Sequence, residues 1–224
     1  MVVPILISIE GNIGSGKSTL LRELRERNPD WHFIDEPVES WMSLKNERGE
    51  SLLQLFYGDK RRWAYTFQQT ALLTRMAATK DAVAAWGAAG FHGSPIFITE
   101  RCVETDAHVF AKMLAEEGDI DALEMTLYKK WFDRFADKTV RPAAYILVDT
   151  PVTVCHERIA RRARSGEGGD AIPVEYLDRL DSAHFSWLMK DGQEVLRFDN
   201  TSKDGTRIQD VENWVKSQWL HALD

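Results

Sequence analysis

The sequence predicts an α/β fold: a five-stranded parallel sheet with helices on both faces. Three observations predict it. Five short apolar runs, at residues 2–9, 31–34, 95–99, 143–148 and 195–198, alternate with stretches of helical composition. The connections between those runs are too long for hairpins, so successive strands run in the same direction. The first run passes through a glycine-rich turn directly into the first helix. The chain has 224 residues, enough for one sizeable core, and no linker divides it, so residues 1–224 read as a single domain.

The glycine-rich turn reads Gly11-Asn12-Ile13-Gly14-Ser15-Gly16-Lys17-Ser18, followed by Thr19. It has the form G-x-x-x-x-G-K-S, and strand–turn–helix is the context that makes this spacing a phosphate cradle. Glycines let the backbone turn tightly with N–H groups inward, and the helix N-terminus favours an anion. Lys17 then reaches the β- and γ-phosphates of a nucleotide such as ATP, and the Ser18 hydroxyl ligates Mg2+. The motif assigns the chain to the P-loop NTPase class.

Composition narrows the partners. The chain is 44% hydrophobic and 28% charged, as soluble globular proteins are, and its formal net charge of −7 argues against a general nucleic-acid binder. No run approaches the length of a membrane span, and residues 1–9 leave no room for a cleavable signal before the glycine turn. The two cysteines, Cys102 and Cys155, form neither a disulfide framework nor a metal motif, which fits the cytoplasm or another reducing intracellular compartment. Eight Trp and ten Phe fit a packed core together with an aromatic-lined pocket.

The remaining elements follow in order. The run 31–34 ends in Asp35-Glu36 and then Pro37. Strand ends are where chemistry gathers in an open parallel sheet, so a carboxylate here is a candidate base as well as a plain turn acid. A loop with a short helix covers 40–50, a helical pattern covers 51–57, and a long helix runs from Asp59 to about Trp86, with Gly87 and Gly90 ending it. On that helix Gln68, Leu72 and Arg75 share one face, beside Phe67. Spacing alone fits a solvated polar face there better than a ring-reading pair. The run 95–99 ends in Glu100-Arg101, where an acid is a natural Mg2+ partner, and an exposed ion pair is the alternative. One helix is expected over about 103–114, carrying Asp106, and another over 122–135, capped by Asp119 or Asp121. After the run 143–148, Thr150 and Pro151 suit the start of a helix carrying Arg158, Arg161, Arg162 and Arg164. The glycine-rich stretch 165–170 follows, so residues 161–171 read either as an arginine-rich lid or as a solvated basic helix end. Helices over 174–189 and 207–220 complete the pattern, the last with Val211, Trp214, Val215 and Trp219 as its apolar stripe.

In combination these motifs resemble the deoxyribonucleoside kinase family over almost the whole chain. The resemblance is carried by the turn at 11–19, by Asp35-Glu36-Pro37-Val38-Glu39-Ser40-Trp41, by the 63–75 helix with Phe67-Gln68, by Glu100-Arg101, and by Ile172-Pro173-Val174-Glu175-Tyr176-Leu177. It implies roles for individual residues. Glu36 resembles the general base for the sugar 5'-hydroxyl, and Arg101 the arginine beside that hydroxyl and the transferring phosphate. Glu100 resembles the Mg2+-associated acid. Gln68 resembles the glutamine that pairs with the base edge, with Phe67, Phe110 and Trp41 as pocket walls and Tyr57 on the 3'-hydroxyl. Arg158, Arg162 and Arg164 resemble the lid arginines. The lid reads slightly longer than the family's, and either Glu167 or Asp170 stands for its sugar-contacting acid. A homodimer through helices near 59–86 and 103–114, and feedback by a deoxynucleoside triphosphate, are also implied.

Arg75 with Asp106 resembles the pair of the deoxycytidine and deoxyguanosine kinases, where thymidine-accepting members have smaller or apolar residues. Such a pair leaves little room for the thymine methyl and penalises a base that leaves it unpaired. Deoxyadenosine, deoxyguanosine or deoxycytidine is therefore expected ahead of thymidine. A nucleoside monophosphate kinase of the thymidylate kinase type shares the loop and a lid, and a regulatory P-loop protein acting through a partner shares the loop; both remain as alternatives.

Overall fold

The structure is a computed structural model that describes residues 3–90, 92, 94–162, 172–190, 192–201 and 206–221. In chain order the elements are β1 Ile5–Glu10, α1 Lys17–Arg27, β2 His32–Ile34, α2 Val38–Ser43, α3 Leu52–Gly58, α4 Lys60–Ala88, β3 Ile96–Glu100 and α5 Val103–Thr105. A π-helical turn Asp106–Ala111 follows, then α6 Lys112–Glu116, α7 Ala122–Phe135, β4 Ala144–Asp149, α8 Val152–Arg162, α9 Val174–Leu188, β5 Val195–Asp199 and α10 Thr206–His221. The five strands form one parallel sheet in the order β2-β3-β1-β4-β5.

All six residues of β1 are buried, as expected for a parallel strand covered on both faces. Its odd positions, Ile5, Ile7 and Ile9, meet Leu20, Leu21 and Leu24 of α1 and Val211 and Val215 of α10. On the opposite face Leu6 joins Ile34, Phe97 and Trp86 of α4, and farther along the sheet Tyr145 and Leu147 pack with Cys155 and Ile159 of α8 and Tyr176, Leu177 and Leu180 of α9. A further core lies between α2, α3, α4 and α7, built on Trp41, Phe56, Phe67, Leu72, Tyr128 and Phe132.

The starts of α3, α4 and α7 are set by short polar side chains. Ser51 accepts from the Gln54 N–H, with the Gln54 side chain returning to the Ser51 N–H, and Asp121 and Glu124 do the same for α7. Asp59 accepts from the Arg62 N–H and starts α4. Each such cap contributes about 1 kcal/mol. The single helix expected over about 103–114 is interrupted: i→i+5 bonding over Asp106–Ala111 widens the turn that carries Asp106 and Phe110. Cys102 and Cys155 are buried free thiols that form no disulfide. Among the described residues no helix is long and apolar enough to cross a membrane.

The strand order puts β1 between β3 and β4, so the chain leaves β1 toward one side of the sheet and later crosses to the other. Ligands of open α/β sheets bind outside the strand ends at such a reversal. The carboxyl ends of β1, β2 and β3 there deliver the 11–18 turn, Asp35-Glu36 and Glu100-Arg101 to one neighbourhood.

Candidate active site

A cavity of about 820 Å³ opens over these strand ends. Its lining runs from the glycine turn (Ile13, Gly14, Gly16, Lys17, Ser18 and Thr19) to an aromatic chamber of Trp41, Tyr57, Phe67 and Phe110. Between them lie Glu36, Gln68, Arg75, Glu100, Arg101 and Asp106, and Arg158 and Arg162 stand on the rim from α8. Volume and lining suit a small organic ligand with a few convergent polar groups.

The turn needs its glycines. Gly11 and Gly14 have φ of 131° and 78°, and a Cβ at either would stand 2.6 Å from the carbonyl oxygen of Val148 or Cys155. Gly11, Asn12 and Ser15 lie behind the cavity wall as supports. Asn12 Nδ2 donates to the Leu177 carbonyl at 2.8 Å and anchors the turn to α9. The Ser15 carbonyl accepts from three side chains: Thr150 Oγ1 at 2.8 Å, Arg158 Nη1 at 3.0 Å and Asn200 Nδ2 at 2.6 Å. Thr150, expected to cap α8, thus spends its hydroxyl proton on the turn, and Arg158, expected on phosphate, donates to the turn's backbone. Lys17 Nζ donates to the Asn12 carbonyl at 2.7 Å. Burial, reinforced by the Arg101 charge and opposed by Glu100, Glu36 and Glu10, lowers the Lys17 pKa to about 8.

Ser18 Oγ donates to Glu100 Oε1 at 2.9 Å. A hydroxyl beside a carboxylate is the hard oxygen pair that Mg2+ takes from a protein when phosphates and water complete its shell. No cluster of three or more His, Cys, Asp or Glu side chains suited to a metal occurs among the described residues.

The acids at the end of β2 separate. Asp35 turns outward to Arg25 at 2.8 Å, while Glu36 turns inward, with Oε1 2.6 Å from Arg75 Nη2 and 3.4 Å from Arg101 Nε. Burial pushes the Glu36 carboxyl up, but the charges of Arg75, Arg101 and Lys17 outweigh it and bring it down to about 2. Arg75 also reaches Asp106, its Nε 3.0 Å from Oδ2, and the two are 6% and 2% exposed. The solvated face that spacing alone favoured for Gln68 and Arg75 is therefore wrong. Both sit in the buried stripe of α4, among Ala64, Phe67, Ala71, Leu72 and Met76. That stripe, running unbroken through two polar positions, was the available signal. Gln68 is 1% exposed and its Oε1 has no hydrogen-bond partner among the described residues.

Arg101 has φ of 62°, a left-handed conformation that costs a non-glycine residue about 1–2 kcal/mol. Its N–H donates to the Ile9 carbonyl and its carbonyl accepts from Thr99 Oγ1, which fixes the backbone against that strain. The aromatic chamber is built by packing: Phe67 stacks on Phe56 at 4.5 Å and meets the edge of Trp41 at 5.2 Å. Phe56 and Tyr176 line the cavity as well and were not singled out from sequence as site residues, although Tyr176 lies in the Ile172–Leu177 motif. Arg164, Glu167 and Asp170, most of the stretch read as a lid, and the turn at 202–205 lie outside the described residues, and nothing of Trp219's packing is described.

A deoxynucleoside kinase family model matches residues 7–222. The chain is similar to deoxycytidine kinase 2 of Gallus gallus, at 34% identity over 227 residues covering 94% of this chain and 83% of that protein. It is 34% identical to deoxycytidine kinase of Homo sapiens over 199 residues, 82% of this chain and 75% of the relative. It is 33% identical to the mitochondrial deoxyguanosine kinase of Xenopus laevis over 220 residues, 92% and 81% of the two chains. With the family match running nearly end to end, the chain belongs to the deoxynucleoside kinase family, phosphotransferases that act on deoxyribonucleosides.

Proposed function

We propose that this enzyme transfers the γ-phosphoryl group of ATP to the 5'-hydroxyl of deoxyadenosine, deoxyguanosine or deoxycytidine in preference to thymidine. The observation that carries this reading is the single cavity joining the glycine turn to the chamber of Phe67, Gln68, Arg75 and Asp106. The 11–19 turn serves as a P-loop for the donor phosphates, with Lys17, Arg158 and Arg162 around them and Arg164 of the expected lid beside them. Ser18 and Glu100 would hold Mg2+, which when bound would supply charge neutralisation for the phosphate oxygens. Glu36 orients the 5'-hydroxyl and takes its proton, and Arg101 and Lys17 stabilise the charge on the transferring group. Tyr57 holds the 3'-hydroxyl, with Glu167 or Asp170 closing on the sugar. Phe67, Phe110 and Trp41 wall the base, Gln68 pairs with its edge, and Arg75 with Asp106 sets base preference.

Preference against thymidine is supported by the buried Arg75–Asp106 pair, which fills the chamber with groups that must stay paired. We also propose a homodimer. Leu123, Leu127, Trp131 and Phe135 are all exposed on one face of α7, four residues apart, while Tyr128 and Phe132 face the core.

The test is kcat/KM with Mg-ATP for deoxyadenosine, deoxyguanosine, deoxycytidine and thymidine, with dAMP and dTMP as controls. Turnover of one of the first three, with thymidine far behind, is expected. Efficient thymidine turnover would overturn the base preference, and activity on the monophosphates alone would overturn the assignment of Glu36 as base.

A further inference from the structure

His184 stands on the inner face of α9 with Leu177, Leu180, Trp187 and Leu188, a spacing that reads as ordinary core. It is 1% exposed, yet both ring nitrogens have partners. Nδ1 lies 2.7 Å from the Leu180 carbonyl and Nε2 lies 3.0 Å from Arg101 Nη1. A carbonyl only accepts, so Nδ1 carries the proton; a guanidinium only donates, so Nε2 must offer its lone pair. The two contacts together select one neutral tautomer. Burial and the Arg101 charge both push the His184 pKa well below its ordinary value, in agreement.

We propose that His184 is a positioning residue for phosphoryl transfer: its Nε2 accepts from Arg101 Nη1 and fixes the guanidinium over the reacting end of the cavity. The inference rests on the proposed role of Arg101. The Arg101 backbone is already fixed at both its N–H and its carbonyl. The long side chain between needs a second anchor at its tip, and among the described residues Phe110, Glu36 and His184 stand against that tip. Phe110 lies under the guanidinium carbon at 4.8 Å, Glu36 approaches Nε, and His184 takes Nη1. Phe110 also meets the His184 ring edge-on at 6.1 Å, so one aromatic braces both. Of these neighbours, Glu36 is committed to the 5'-hydroxyl in the proposed reaction and Phe110 gives no direction to an N–H. His184 is thus the directional anchor that remains when Glu36 engages substrate, and it leaves Nη2 for a phosphoryl oxygen. Without it, the guanidinium is free to close on Glu36 and blunt the base.

Variant kinetics and nitrogen NMR test this. His184→Phe, which keeps the ring but removes the acceptor, is expected to lower kcat roughly 10- to 100-fold with both KM values within about threefold. His184→Gln, whose side-chain oxygen can accept, is expected to restore kcat to within about threefold of the native enzyme. A merely structural role predicts the opposite order, because Phe packs better than Gln among Leu180, Trp187 and Phe110. In an Arg101→Met background, His184→Phe is expected to cost nothing further, and additive losses would overturn the proposal. If Arg101→Met alone left kcat unchanged, the role given to Arg101 would fail, and this inference with it. Nitrogen NMR of the native full-length enzyme reads the contact without any variant or activity: a protonated Nδ1 with a bare Nε2 supports the proposal, and an imidazolium or a protonated Nε2 overturns it.

Discussion

Arg75 donates from Nη2 to Glu36 Oε1 at 2.6 Å, and the same guanidinium holds Asp106 through Nε. The group proposed to meet the base is thereby bonded to the acid proposed to take the 5'-hydroxyl proton. A base that draws Arg75 toward itself and Asp106 loosens its hold on Glu36, and a base that does not leaves the acid clamped. Under the proposed roles, base recognition and proton transfer would be coupled in this geometry through one side chain.

The coupling gives a signed expectation for pH. Arg75→Met removes the foremost of the charges that lower the Glu36 pKa, so that pKa rises and the acid limb of the kcat profile moves to higher pH. Combined with Asp106→Ala, it is expected to raise thymidine use relative to the purine deoxynucleosides by roughly 10-fold or more. An unmoved acid limb together with unchanged relative kcat/KM would remove Arg75 from both roles.

Glu36→Gln keeps size and polarity but not basicity. Nucleoside binding is expected to stay nearly intact while kcat falls roughly 100-fold or more. Equilibrium binding beside single-turnover rates separates the two effects; a kcat within a few-fold of native would mean that another group takes the proton.

Lys17 predicts a pH-dependent donor affinity. It is charged below its pKa of about 8 and neutral above, and a polyphosphate prefers the charged form. Binding of a non-hydrolysable ATP analogue is therefore expected to weaken, and to take up a proton, as pH rises through that value. Lys17→Arg stays charged and should flatten the slope. Calorimetry in buffers of different ionisation heat reads the proton directly, and an equal slope in both proteins would assign the effect elsewhere.

Among the described residues the Gln68 side-chain oxygen has no hydrogen-bond partner, so the side chain contributes little to the fold through that atom. Gln68→Leu is expected to leave the Tm of the free protein unchanged or raised while weakening nucleoside binding by about 10- to 100-fold. A lowered Tm with unchanged affinity would reassign Gln68 to the core.

The α7 stripe predicts assembly. Leu127→Glu with Trp131→Glu puts two charges on the apolar face and is expected to convert a dimer to a monomer, read by light scattering after size exclusion. A native protein that is already monomeric would overturn the homodimer.

Strand order along the chain, the helix of 122–135 and the 11–18 turn were all legible in the sequence, because each depends on periods and spacings inside one segment. The long helix was legible as a helix, but its polar positions were not, since Gln68 and Arg75 look the same facing solvent or facing α2 and the π-helical turn. That turn was missed because i→i+5 bonding leaves no distinct period in so short a stretch. Asp35 and Glu36 differ in sequence by one position, and just past the end of β2 they turn to different partners, Asp35 to Arg25 and Glu36 to Arg75 and Arg101. Without the sheet order, nothing says which of the two meets Arg75 and Arg101.

By itself, then, the sequence determined the alternation of strands and helices, the glycine turn and the family's motifs, all written in covalent spacing. Tertiary structure alone decided which acid turns inward, that Arg75 joins two carboxylates, and that a core histidine accepts from Arg101. Those contacts bridge 31, 39 and 83 residues. Their geometry is fixed by how α4, the π-helical turn and α9 pack over the sheet, and by the cost of leaving a buried donor or acceptor unpaired. Neither is a property of any segment taken alone.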